Sequence, residues 1–141
     1  MSEGLAFTRA AVADWHLTTA AGAAAADAVL VAAELLANAC QHAGRPLALH
    51  LQLTPGRLRV AVTDPDPTPP RRVEPHRPAT PHGHGLVVVD RIAADWGCTP
   101  VGDGKTVWAD LPLPASDGTA EPDLRPARRT ALANPDPLMD T

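Results

Sequence analysis

Apolar positions recur with two different periods along this chain, and the switches between them mark out its elements. Residues 6–19 (AFTRAAVADWHLTT) carry apolar side chains at helical spacing, and Gly22 interrupts the pattern. A second helical period runs from about Ala24 to Ala43, with Gly44 placed as its C-terminal cap. PLALHLQL (46–53) and RLRVAVTD (57–64) alternate instead, and the Thr-Pro-Gly between them predicts a β-hairpin. GLVVVDRIAADW (85–96) returns to a helix, WGCTPV (96–101) to a strand, GDGK (102–105) to a turn, and TVWADLPL (106–113) to a last strand.

Residues 65–82 hold seven prolines, which excludes regular structure. A loop of that length inside a domain is either functional or disordered. After Pro114 the chain turns polar and proline-bearing without apolar period, which predicts a disordered tail over residues 115–141. Helix, helix, hairpin, long loop, helix and hairpin imply one α+β domain over residues 5–114. Its expected architecture is a two-layer sandwich with the helices on one face of a mixed, mostly antiparallel sheet.

Composition narrows the function. With 141 residues, 45% of them hydrophobic, the chain can bury a core, and three Trp, one Phe and no Tyr leave that core to aliphatic side chains and alanine. So few aromatics argue against a stacking platform for single-stranded nucleic acid. A net charge of −4 and no densely basic stretch argue against nucleic acid altogether. No signal-peptide core and no run of about 18 apolar residues stand in the sequence, so a soluble cytoplasmic protein without a membrane partner is expected. Cys40 and Cys98 have no metal-ligand spacing and are expected to be reduced and structural.

One stripe carries candidate chemistry. Glu34, Asn38 and His42 in ELLANACQH fall within roughly 80° of one another around a helix. An Asn38 oxygen suits Mg²⁺, and Glu34 one turn earlier could orient or deprotonate the nucleophile of a phosphoryl transfer; the same residues also suit a solvated face. Asp64 at a strand end could accept a hydrogen bond from an adenine amino group, or simply open a turn. Gly83-His84-Gly85 before a helix offers backbone N–H groups to phosphate. Gly104-Lys105-Thr106 imitates the end of a P-loop but enters a strand, with Thr at position 99 where that motif needs glycine. His76, His82 and His84 show no fourth ligand on a rigid element, so zinc is not expected. Arg71, Arg72 and Arg77 in the same loop either close over phosphates or are solvated.

The order of these features resembles the GHKL ATPase fold (the Bergerat fold) shared by gyrase, Hsp90, histidine kinases and MutL. The short ELLANACQHA form looks most like the RsbW-like serine/threonine protein kinases of the anti-sigma-factor type. This resemblance covers about residues 5–114. It implies Glu34 as general base, Asn38 as Mg²⁺ ligand and Asp64 as the adenine-reading carboxylate. Gly83 and Gly85 become the second glycine box beside the phosphates, with Leu86 starting the helix beneath, and Thr106 stands near the adenine, joined to Asp64 through water. His42 ends the asparagine box, and residues 65–82 form the ATP lid. The chain departs from the pattern in having Asp64-Pro65-Asp66-Pro67 where many relatives have Asp-x-Gly-x-Gly, and His82 and His84 where a basic residue is common. It also begins with a helix where the family begins with a strand, so its sheet is expected to lack an edge strand or to receive one from a partner.

The implied function is an ATP- and Mg²⁺-dependent kinase that phosphorylates a small regulatory partner such as an anti-sigma-factor antagonist, in transcription regulation. Homodimers are frequent in that family. The alternative is an ATP-binding module that sequesters a sigma factor or another protein without phosphorylating it. A histidine-kinase catalytic domain is disfavoured, because no phosphoacceptor-helix region precedes Glu34.

Overall fold

A computed structural model describes residues 2–15, 22–70, 84–113 and 127–131. Helix α1 (Ser2–Asp14) opens the chain. Gly4, Thr8, Ala11, Val12 and Trp15 recur at helical spacing on its buried side. Gly4 belongs to that face because a Cβ there would lie 2.8 Å from Leu36 Cδ1, so its bare backbone lets α1 close on the next helix. The helix therefore starts earlier than the apolar period suggests, and residues 16–19 of the expected helix lie outside the described residues.

Helix α2 (Gly22–Ala43) buries Ala28, Val31, Ala32, Leu35, Leu36 and Ala39 along one stripe. Its alanines keep it close to α1 and to the sheet, and it ends at Gly44, whose φ of 83° is the left-handed conformation that a helix stop requires. Strands β1 (Ala48–Thr54) and β2 (Arg57–Asp64) form the expected hairpin around Pro55-Gly56. Leu49, Leu51 and Leu53 pair with Val62, Val60 and Leu58, and all six are buried on one face. That alternation fixes the register, since a slip of one residue would turn the three apolar side chains of the slipped strand to the other face.

Helix α3 (His84–Ile92) packs against α2, and strands β3 (Asp95–Val101) and β4 (Gly104–Pro112) complete the domain. The third helix stops short of the expected Trp96 because that residue pairs with Ala109 in the sheet, while its indole N–H donates back to Asp90 at 2.9 Å. β4 then lies beside β2, with Leu111, Ala109, Val107 and Lys105 opposite Leu58, Val60, Val62 and Asp64.

Two expectations are corrected here. Among the described residues every neighbouring pair in the sheet is antiparallel, in the order β3-β4-β2-β1-β5, where a mixed sheet was expected. The segment 115–141 is not wholly without structure, because β5 (Ala127–Ala131) pairs along the free edge of β1, Leu51 opposite Arg129. Backbone pairing makes this strand where side-chain pattern gives no hint, and it covers an edge that would otherwise expose unpaired N–H and C=O groups. The fold is α+β, with helices layered on one face of the sheet and the core between.

Candidate functional site

Sheet alternation decides which polar residues can meet. β2 sends Leu58, Val60, Val62 and Asp64 toward the helices, and β4 sends Lys105, Val107, Ala109 and Leu111 the same way. The last pair of this inward row is therefore charged. Asp64 and Lys105 are each about 1% exposed, and Lys105 Nζ lies 3.1 Å from Asp64 Oδ1. Gly104 permits that approach, since a Cβ there would collide with the Asp64 carbonyl.

The ion pair also organises the chain leaving β2. Lys105 Nζ donates to the Asp66 carbonyl at 2.9 Å, the Asp66 N–H donates to Asp64 Oδ1 at 2.9 Å, and the Thr68 N–H donates to Asp66 Oδ1 at 3.0 Å. Hydrogen bonds from the Thr68 backbone and side chain hold the Asp66 carboxyl below its usual range, and the charges of Lys105 and His42 act in the same direction. His42 at the end of α2 thus lies within electrostatic reach of the start of the loop that follows β2. Residues 65–70 of the expected lid are described; Arg71, Arg72, His76, Arg77 and His82, like Gly83, lie outside the described residues.

On α2, Asn38 is 6% exposed and turns inward, Glu34 is half-buried one turn earlier, and His42 is exposed one turn later. The expected polar stripe therefore graduates from interior to surface. Among the described residues no hydrogen bond engages the Asn38 amide or Asp64 Oδ2. Neither is sealed, because no fully buried side-chain nitrogen or oxygen lacks a partner. Two buried residues thus keep polar atoms without a hydrogen-bond partner among the described residues, as a ligand site requires. Gly85 and Leu86 stand in the first turn of α3, where free N–H groups and the helix dipole favour an anion.

Thr106 does not join this group. Its neighbours in β4 alternate, so it stands on the opposite face from Asp64, where its hydroxyl is 2.7 Å from that of Thr63. There it borders a groove of about 310 Å³ with His50, Gln52, Arg59 and Trp108. Lys105, not Thr106, shares the inward face with Asp64. Reading GKTVWADL with the period of two that fits RLRVAVTD, in register from the strand ends, is the signal that finds it.

A second group of charges, on the outer face of the sheet, is structural. Asp110 takes Arg59 Nε at 2.7 Å and Arg57 at 3.4 Å, and the hydrogen bond that Arg59 donates to Asp110 raises the Arg59 pKa, with the guanidinium 4.2 Å from the Trp108 ring centroid. Cys40 and Cys98 are free thiols, and burial pushes that of Cys98 up. Among the described residues no helix is long and apolar enough to cross a membrane, and no three His, Cys, Asp or Glu side chains gather as a metal cage. A metal ion here would need oxygen atoms of its ligand, as Mg²⁺ bound with a nucleotide has.

The family model of the histidine kinase-like ATPase domain matches residues 3–111, the span that runs from α1 through β4. The chain is also 37% identical over 78 residues to an uncharacterized protein of Streptomyces coelicolor, a match covering 52% of this chain and 74% of that protein. No solved structure matches the chain.

Proposed function

Since this chain belongs to the histidine kinase-like ATPase domain family, we propose that it is a cytoplasmic serine/threonine protein kinase of the anti-sigma-factor type, acting on a small regulatory protein. ATP binding is the property of the family; the acceptor and its chemistry are the proposal. The observation that carries it is Asn38, an amide on a nine-tenths buried residue with no partner among the described residues and an open tip, on the same helix face as a half-buried carboxylate.

Asn38 fits a Mg²⁺ ligand because its amide oxygen is uncommitted, a hard oxygen donor of the kind the ion takes. When bound, the ion neutralises charge between the phosphates of ATP. The remaining work falls to the chain. Asp64 Oδ2 accepts the adenine amino group, and the amides at the start of α3, with Gly85 and Leu86, hold phosphate oxygens. Glu34 takes the proton of the acceptor hydroxyl as its oxygen bonds to the γ-phosphorus and the bond to the ADP oxygen breaks.

A second reading, binding and sequestration of a sigma factor or other protein without transfer, draws on the loop after β2. Residues 64–68 are tied by Lys105, Asp66 and Thr68 where a flexible glycine pair would leave a lid free to close.

Calorimetric titration with ATP, with and without Mg²⁺, tests the site, and incubation with γ-labelled ATP and a purified anti-sigma-factor antagonist tests transfer. Mg²⁺-dependent binding with label on a serine or threonine, abolished in Glu34→Gln, is the expected result. Binding without label selects the second reading. No binding at millimolar ATP ends the kinase reading and leaves a protein-interaction module.

A further inference from the structure

The two oxygens of Asp64 are not equivalent. Oδ1 receives Lys105 Nζ at 3.1 Å and the Asp66 N–H at 2.9 Å, and two donors fill the capacity of one carboxylate oxygen. Oδ2 has no partner among the described residues and is not sealed from the surface. The same ammonium holds the Asp66 carbonyl at 2.9 Å, which keeps the Asp66 N–H directed at Oδ1. Lys105 thereby occupies Oδ1 directly and also stabilises the second donor to it.

Nucleobases differ in what they offer a carboxylate. Adenine presents one exocyclic amino group beside an unprotonated ring nitrogen, and a single oxygen suffices to accept it. Guanine presents a ring N–H and an exocyclic amino group side by side, the arrangement that pairs with both oxygens of a carboxylate at once.

Resting on the nucleotide reading given above, we infer that Lys105 is a specificity-determining residue for the base. By capping Oδ1 it makes Asp64 a one-oxygen acceptor, which admits adenine and denies guanine its paired contact. This is a positioning role exercised through Asp64, so its signature is a ratio of affinities and not affinity itself. A variant that merely unfolds part of the protein loses ATP and GTP alike and leaves the ratio where it was.

The test is calorimetric titration of the full chain with ATP and with GTP, both with Mg²⁺, for the wild type, Lys105→Met and the smaller Lys105→Thr, each checked for folding by circular dichroism. The wild type is expected to prefer ATP by about tenfold or more, and either folded variant to narrow that preference by about tenfold, mainly through tighter GTP binding. A wild type that binds the two nucleotides equally overturns the inference without any variant. So does a variant that still binds ATP with an unchanged ratio. A wild type with no affinity for ATP is a different failure, because it removes the nucleotide reading on which the inference rests.

Discussion

Asp64, the last residue of β2, and Lys105, the second of β4, face each other in register and form an ion pair from which water is almost wholly excluded. Such a pair is stabilising chiefly in the sense that neither partner tolerates loss of the other, because a single substitution strands a charge in the interior. Lys105→Met is expected to cost about 3 kcal/mol in urea unfolding. The double variant Asp64→Asn/Lys105→Met should cost less than the sum of the singles, with a coupling of about 1–3 kcal/mol. A coupling near zero would mean the two charges are independently solvated.

Gly97 lies opposite Trp108, and a Cβ at Gly97 would stand 2.7 Å from the indole Cζ2. Trp108 in turn supports the Arg59 guanidinium, which holds Asp110. Gly97→Ala is expected to destabilise by about 1–3 kcal/mol and to reduce the tryptophan near-ultraviolet dichroism, because the ring must leave its place. Replacing Trp108 by leucine in the same chain should relieve most of the loss. An unchanged melting temperature in Gly97→Ala would show that the strands part easily.

The hairpin and the second helix are legible in the sequence because one periodicity governs each: Leu49, Leu51 and Leu53 alternate, and Val31, Leu35 and Ala39 recur every fourth residue. Gly4 lies ahead of the apolar period that begins at Ala6, yet it is a contact point between helices, which is a property of Leu36 as much as of its own. β5 is illegible for a different reason. Ala127–Ala131 carries no apolar alternation, and its strand exists through backbone bonds to a partner 74 to 82 positions away in sequence, as in Leu53 opposite Ala127 and Leu49 opposite Ala131. In the site, helical spacing alone puts Glu34, Asn38 and His42 on one stripe. The alternation of Lys105, Val107, Ala109 and Leu111 puts Lys105 and not Thr106 on the inward face, but that Lys105 stands opposite Asp64 follows only from the pairing of two strands far apart in sequence, which no local pattern carries.

Acid should loosen the start of the loop after β2 before it unfolds the domain. The carboxyl of Asp66 titrates below its ordinary value because it accepts hydrogen bonds from Thr68, with Lys105 and His42 adding favourable charge. A carboxyl whose folded pKa is lowered contributes its stabilisation above the unfolded value of about 3.9 and loses it as pH falls through the folded value. The Thr68 amide should therefore keep its chemical shift from neutral pH down to about 4 and move only below it, and Asp66→Asn should remove that step. A Thr68 shift that moves well above pH 4 instead would mean that the Asp66 carboxyl does not hold this amide.

Stability and binding should part company at Asn38. In the unliganded protein its amide makes no hydrogen bond among the described residues, so folding gains little from it, while the residue is only 6% exposed. Leucine has the same branching without the polar atoms. Asn38→Leu is accordingly expected to leave unfolding free energy within about 1 kcal/mol of the wild type, or to raise it, and to abolish Mg²⁺-dependent ATP binding. The two results must be measured on one preparation, by denaturant titration and by calorimetry. If Asn38→Leu binds MgATP as the wild type does, the amide is no metal ligand. If instead the variant loses several kcal/mol, Asn38 is a structural hydrogen-bonding residue and the nucleotide site lies elsewhere on the fold.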